Sequence, residues 1–141
     1  MGGKSTSLPR NPHPNQKGTR TMFITHEVSL ELIRQLRVIM PAIKRADRNL
    51  ADQIGRAATS ITLNLGEGRQ RTGGDQRRMY EIAHGSAAEV RSALAVGVAW
   101  GWVEEPAAIL ATMDRLMALL WRLTHGRMLS ARAALGHGAR E

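Results

Sequence analysis

The chain has 141 residues, the size of one ordinary domain, with 43% hydrophobic and only 4% aromatic residues and a net charge of +8 at pH 7. It contains no cysteine, which excludes disulfides, thiolate metal sites and a cysteine nucleophile. Its longest nearly continuous apolar run, Ala93 to Val103, has eleven residues, too few to cross a bilayer as a helix, and the first residues lack the apolar stretch of a secretion signal. A soluble cytoplasmic protein with no membrane partner is therefore expected.

The apolar residues are mainly Ala, Leu, Ile, Val and Met, without β-branched runs, which favours an all-α fold. Seventeen of the twenty basic residues are arginine. Arginine forks onto phosphates and stacks on bases, so this bias suits a nucleic-acid partner. A GC-rich genome enriches arginine too, so charge alone leaves a merely solubilising surface open.

In chain order, residues 1–25 read as a disordered basic tail. Up to Thr21 it holds three prolines and four basic residues but no acid. Within it Gly3-Lys4-Ser5-Thr6 copies the end of a phosphate-binding loop without its strand or first glycine. Met1-Gly2 with Thr6 matches a myristoylation signal that nothing else supports. The bundle domain is expected over 26–128. Its first helix runs from about Val28 to Ala46 on the stripe Leu32, Ile33, Leu36, Ile39, Met40 and Ile43, with a kink or early end at Pro41. The second spans about Leu50 to Glu67 on Ile54, Ala57, Ala58, Ile61 and Leu65. The third starts with Asp75 as N-cap and reaches about Trp100 through Met79, Ile82, Ala83, Ser86, Val90, Leu94 and Val98. The fourth opens at Pro106 behind Glu104 and Glu105 and carries Ile109, Met113, Leu116, Leu120 and Leu123 to a stop at Gly126. Residues 129–141 form a basic extension. Short connections between such helices imply an antiparallel up-down-up-down four-helix bundle.

The second and third helices meet across NLGEGRQRTGG, residues 64–74. This stretch is no phosphate cradle, because Arg71 stands where a third glycine belongs and a helix precedes it. Gly68 is the expected helix stop, and Gly73 and Gly74 permit the reversal. Folding the hairpin about Arg71 and Thr72 sets Ala57 against Ser86 and Ser60 against Ala83, with Gly85 kept small for close packing. A second stripe, Gln53, Ala57, Ser60, Asn64 and Glu67, edges the core. Glu89 falls opposite Gln53 and Arg56, and Glu67 opposite Gln76 and Arg77. Polar groups at such an edge need partners, so an interhelical hydrogen-bond network is expected to set the register.

The segments Gln53 to Gly68 and Ile82 to Glu89 resemble bacterial four-helix-bundle proteins encoded in intervening sequences of 23S ribosomal RNA genes. Those proteins carry Q-x-x-R-A-x-x-S-I-x-x-N-x-x-E-G followed by A-x-G-S-x-x-E. The motif falls here on Gln53, Arg56, Ser60, Asn64, Glu67, Gly68, Gly85, Ser86 and Glu89. The sequence departs from the family at Gly66, usually alanine, in its few aromatics and in its long basic N-terminal tail. The resemblance implies a bundle that assembles into a homo-oligomeric ring, typically a pentamer. It also brings in the related accessory variability determinant of diversity-generating retroelements, a basic pentameric barrel that binds a reverse transcriptase and nucleic acid.

No enzyme reading completes itself. Glu81 and His84 have the E-x-x-H spacing of di-iron bundles, but the second such pair and two further inward glutamates are missing. His13, His26, His125 and His137 have no partners for a triad or a zinc site, and Ser60 and Ser86 lie on helices without a nucleophile elbow. No catalytic residue, metal or cofactor is expected. The charge is what remains. In an up-down bundle the second loop shares its end with both termini, which gathers the candidate nucleic-acid contacts Arg69, Arg71, Arg77, Arg78, Lys17, Arg20, Arg127 and Arg132, with Lys4, Arg10 and Arg140 beyond them. The acids counted there are Glu27, Glu67, Asp75 and Glu141. The other end mixes Lys44, Arg45 and Arg48 with Asp47, Asp52, Glu104 and Glu105. Such a surface suits RNA or single-stranded DNA through phosphates, with little base specificity because Tyr80 is the only aromatic placed nearby. The expected function is a non-enzymatic accessory protein that binds nucleic acid and, by the resemblance, a reverse transcriptase. The alternative is a protein–protein scaffold kept soluble by its charge.

Overall fold

The computed structural model describes residues 14–136, with side chains from Gln16 to Gly126. Four α-helices make up this stretch: α1 Pro14–Ala46, α2 Arg48–Arg69, α3 Gly73–Ala99 and α4 Ala107–Gly136. No strand occurs among the described residues. The apolar residues that recur along each helix form one core: Leu32, Leu36 and Ile43 from α1, Ile54, Ile61 and Leu65 from α2, Val90 and Leu94 from α3, and Met113, Leu116 and Leu120 from α4. Each helix packs on its sequence neighbours and α4 closes against α1, which is the neighbour order of an up-down-up-down bundle.

The breaks between helices follow from local chemistry. Asp47 alone separates α1 from α2. Its backbone is extended and its Oδ1 accepts from the Leu50 N–H at 3.0 Å, capping α2. Gly73 opens α3 with φ +59°, and Gly101 turns the chain towards α4 with φ +74°, a region that favours glycine. Beside Gly101, Trp100 and Trp102 stack with centroids 5.8 Å apart.

Several boundaries differ from expectation. α1 begins at Pro14, so residues 14–25 are helical rather than part of a disordered tail. Met22 and Thr25 are buried there, and Thr25 tolerates burial because its hydroxyl donates to the Thr21 carbonyl at 2.6 Å. α1 also runs unbroken through Pro41, held beyond it by fully buried Ile43. The N-cap of α3 is Thr72, with Asp75 inside the first turn, and α4 continues past Gly126. Residues 1–13 and 137–141 lie outside the described part, and with them Lys4, Arg10, Arg140, His13, His137 and the Gly3–Thr6 motif. Arg127 and Arg132 fall within α4, but their side chains are outside it too.

The α2–α3 pair shares the most extensive contact in the bundle. Small buried residues are frequent on these two helices, among them Ala57 on α2 and Ala83 and Ala87 on α3. Gly68 does not stop α2. It lies buried inside the helix, where an added Cβ would sit 2.6 Å from Tyr80 Cε1. Gly85 is exposed and an added Cβ there would meet nothing within 4 Å, so close packing does not account for it.

Candidate nucleic-acid interface

The hairpin register is one turn from that expected. Ser60 meets Ser86, their hydroxyls 2.9 Å apart, and Asn64 Nδ2 donates to the Ser60 carbonyl at 2.8 Å and its hydroxyl at 3.0 Å. The shift arises because the first turn of α3 caps α2 instead of pairing along it. Gln76 Nε2 donates to the Gly68 and Arg71 carbonyls at 3.1 and 3.0 Å, tying the first turn of α3 to the end of α2, where the Gly68 carbonyl also accepts from the Arg71 N–H at 3.1 Å. Three of the motif residues thus form the interhelical network. The others do not join it. Glu67 pairs with Arg71 at 3.1 Å rather than with Gln76 or Arg77. Gln53, Arg56 and Glu89 are exposed, and among the described residues no hydrogen bond or ion pair links them.

The capped turn gives the arginines around it a fixed base. Arg71 is held by Glu67, and Arg77 by Glu81 at 2.9 Å, both exposed pairs one helical turn apart. Glu81 thus joins the acids at this end, and its spacing from Arg77 is legible in the sequence. Lys17, Arg20, Arg69 and Arg78 carry no ion pair among the described residues. Arg69 instead lies over the Phe23 ring, with Cζ 4.3 Å from the centroid.

The aromatic at this end also differs from expectation. Tyr80 is buried against Gly68 and offers no face for a base, and burial pushes its phenol above the ordinary value of 10.0. An exposed aromatic beside Arg69 is Phe23, 44% accessible, within the stretch expected to be a disordered tail.

Other candidate chemistry does not assemble. No group of three or more His, Asp or Glu side chains among the described residues could hold a metal ion. Glu81 is engaged with Arg77, and the Ser60 and Ser86 hydroxyls are engaged with each other. His125 stacks on Trp121 at 4.6 Å and its Nδ1 lies 2.7 Å from the Thr124 hydroxyl. No helix among the described residues is long and apolar enough to cross a membrane.

Fold and surface together define the class: a small all-α bundle whose conspicuous polar feature is a set of cations around one hairpin. A model of the 23S rRNA-intervening sequence protein family matches residues 24–122, which contain the whole of α2 and α3, and the chain belongs to that family. No curated protein and no solved structure matches the chain.

Proposed function

We propose that the protein is a non-enzymatic accessory factor that binds RNA or single-stranded DNA through the hairpin end of the bundle, acting as a homo-oligomeric ring. The carrying observation is that Lys17, Arg20, Arg69 and Arg78, on the helix stretches that the up-down order brings to the α2–α3 end, have no ion-pair partner among the described residues. Cations with no acid to neutralise them exchange counterions for phosphates, and the released counterions drive binding. A ring of parallel copies repeats the patch on one rim and multiplies the field. The resemblance to retroelement accessory proteins adds a reverse transcriptase as protein partner. A scaffold role is favoured by a different observation: Val38, Leu63, Ile82 and Val96 are exposed on the helices. Those side chains suit contacts between copies, so both readings share the ring.

Anisotropy of a dye-labelled single strand across a salt series tests the proposal, with the quadruple variant Lys17→Ala, Arg20→Ala, Arg69→Ala, Arg78→Ala alongside. The wild type loses affinity steeply with salt. In the variant the slope of log K against log salt is shallower by up to about 3, at about 0.7 for each phosphate that is no longer neutralised. No binding by the wild type at low salt removes the nucleic-acid reading, and a monomer by light scattering removes the ring.

A further inference from the structure

We propose that Phe23 and Arg69 form a stacking platform for one nucleobase, so that the hairpin end selects single strands over duplexes. This rests on the nucleic-acid reading above and names the form of strand that the site takes.

Phe23, the one phenylalanine of the chain, is 44% exposed on the surface of α1. Here it is not left bare: the Arg69 guanidinium covers one side at 4.3 Å from the centroid. The stack holds a long side chain in place before any ligand arrives, so little further ordering is needed on binding. Arg69 is itself exposed, and a guanidinium held over a ring keeps both a planar outer face and N–H donors at its edge. The face takes a base and the edge takes a phosphate, an arrangement in which aromatic and cation act on one nucleotide.

The surroundings give the base a side to enter from. Phe23 and Ile24 floor a groove of about 400 Å³ whose other walls are Gln16, Thr19 and Arg20. Arg20 supplies a cation and Gln16 an amide that can donate and accept. A second groove on the same two apolar residues is lined instead by Glu27, Glu31, Arg34 and Arg115. The charges of that second groove cancel, two acids against two arginines, whereas the Gln16–Arg20 groove holds a cation and no acid. The strand is thereby directed to the Gln16–Arg20 side. A duplex keeps its bases stacked within the helix and presents phosphates alone, so only a single strand can use the ring.

The test compares four labelled ligands of equal length: single-stranded RNA, single-stranded DNA, the duplex, and an abasic strand that keeps the sugar–phosphate backbone. Phe23→Leu keeps an apolar side chain without a π face. It is expected to weaken binding of both base-bearing single strands about tenfold, within the usual contribution of one stacked base, while leaving the abasic strand, the duplex and the salt slope unchanged. Phe23→Trp retains binding. Arg69→Lys keeps the charge but loses the plane, and weakens the same two ligands several-fold at an unchanged slope. If Phe23→Leu proves unfolded by circular dichroism, Phe23→Trp and Arg69→Lys carry the comparison. The platform is overturned if Phe23→Leu binds like the wild type, if it loses as much on the abasic strand, or if only RNA or only DNA responds. In those cases wild-type binding to the abasic strand persists and the phosphate reading stands. No wild-type binding to any of the four overturns both.

Discussion

At the end of the bundle where α1 passes into α2, acids and bases are interleaved. Asp47 caps α2, and Lys44, Arg45 and Arg48 share that end with Asp52, Glu104 and Glu105. Around the α2–α3 turn the acids Glu67 and Glu81 are held by Arg71 and Arg77, and Lys17, Arg20, Arg69 and Arg78 remain without ion-pair partners among the described residues. The backbone is managed differently as well. A side-chain carboxylate starts α2 at one end, whereas at the other a glutamine amide closes it and a glycine lets α3 come close. One end therefore nearly balances acids and bases by number without pairing them among the described residues, and the other pairs two arginines and keeps an excess of cations beside a tightly fixed turn.

The largest expected break in that contrast is at the two glycines. Gly68→Ala drives a Cβ against the buried Tyr80 ring and is expected to cost about 1–3 kcal/mol, read as a lowered Tm. Gly97→Ala at the opposite end meets Val103 Cγ2 at 3.6 Å and Leu50 Cδ2 at 3.8 Å, ordinary contacts. There the gain in helix propensity leaves stability unchanged or raised by up to about 1 kcal/mol. Equal effects at both positions would contradict the close approach at the hairpin.

The caps give the next effect. Asp47→Ala removes the bond to the Leu50 N–H and is expected to cost about 1 kcal/mol in denaturant unfolding. Thr72 makes no side-chain cap bond at the start of α3, so Thr72→Ala changes stability by no more than a few tenths. The smallest effect sharpens the charge contrast. Glu81→Gln releases Arg77 and alters stability by only a few tenths of a kcal/mol, because the pair is exposed. It is expected to steepen the salt slope of strand binding by about 0.7, whereas Glu105→Gln at the far end leaves that slope alone.

The central turns of every helix are legible in the sequence because their apolar residues keep a helical period. Ile54, Ala57, Ala58, Ile61 and Leu65 of α2 are all buried, as their spacing predicts. The start of α1 is not legible in the same way. Its inward positions include Thr25 and Ser29, polar residues that break the apolar pattern yet are buried with their hydroxyls bonded. Thr25 donates to Thr21, and Ser29 to the His26 carbonyl, while Thr62 on α2 bridges to Ser29 at 2.9 Å. With that turn hidden, Phe23 is hidden too, and so is the stack on Arg69. The register slips for a related reason. Spacing alone cannot reveal that Gln76 turns the first residues of α3 over the end of α2. The gathering of positive charge is visible from topology, but which cations remain unpaired depends on rotamers that only the fold settles.

The three tryptophans have a practical consequence for watching this molecule at work. Trp100 and Trp102 form a stacked pair in the α3–α4 turn, at the end away from the hairpin. Trp121 lies about 20 Å further along α4, against His125. Two of the three indoles therefore sit at the end remote from Phe23 and Arg69, out of reach of a strand seated there. Replacing Trp100 and Trp102 confines the indole signal to Trp121, so that any change on strand binding is read from a single position.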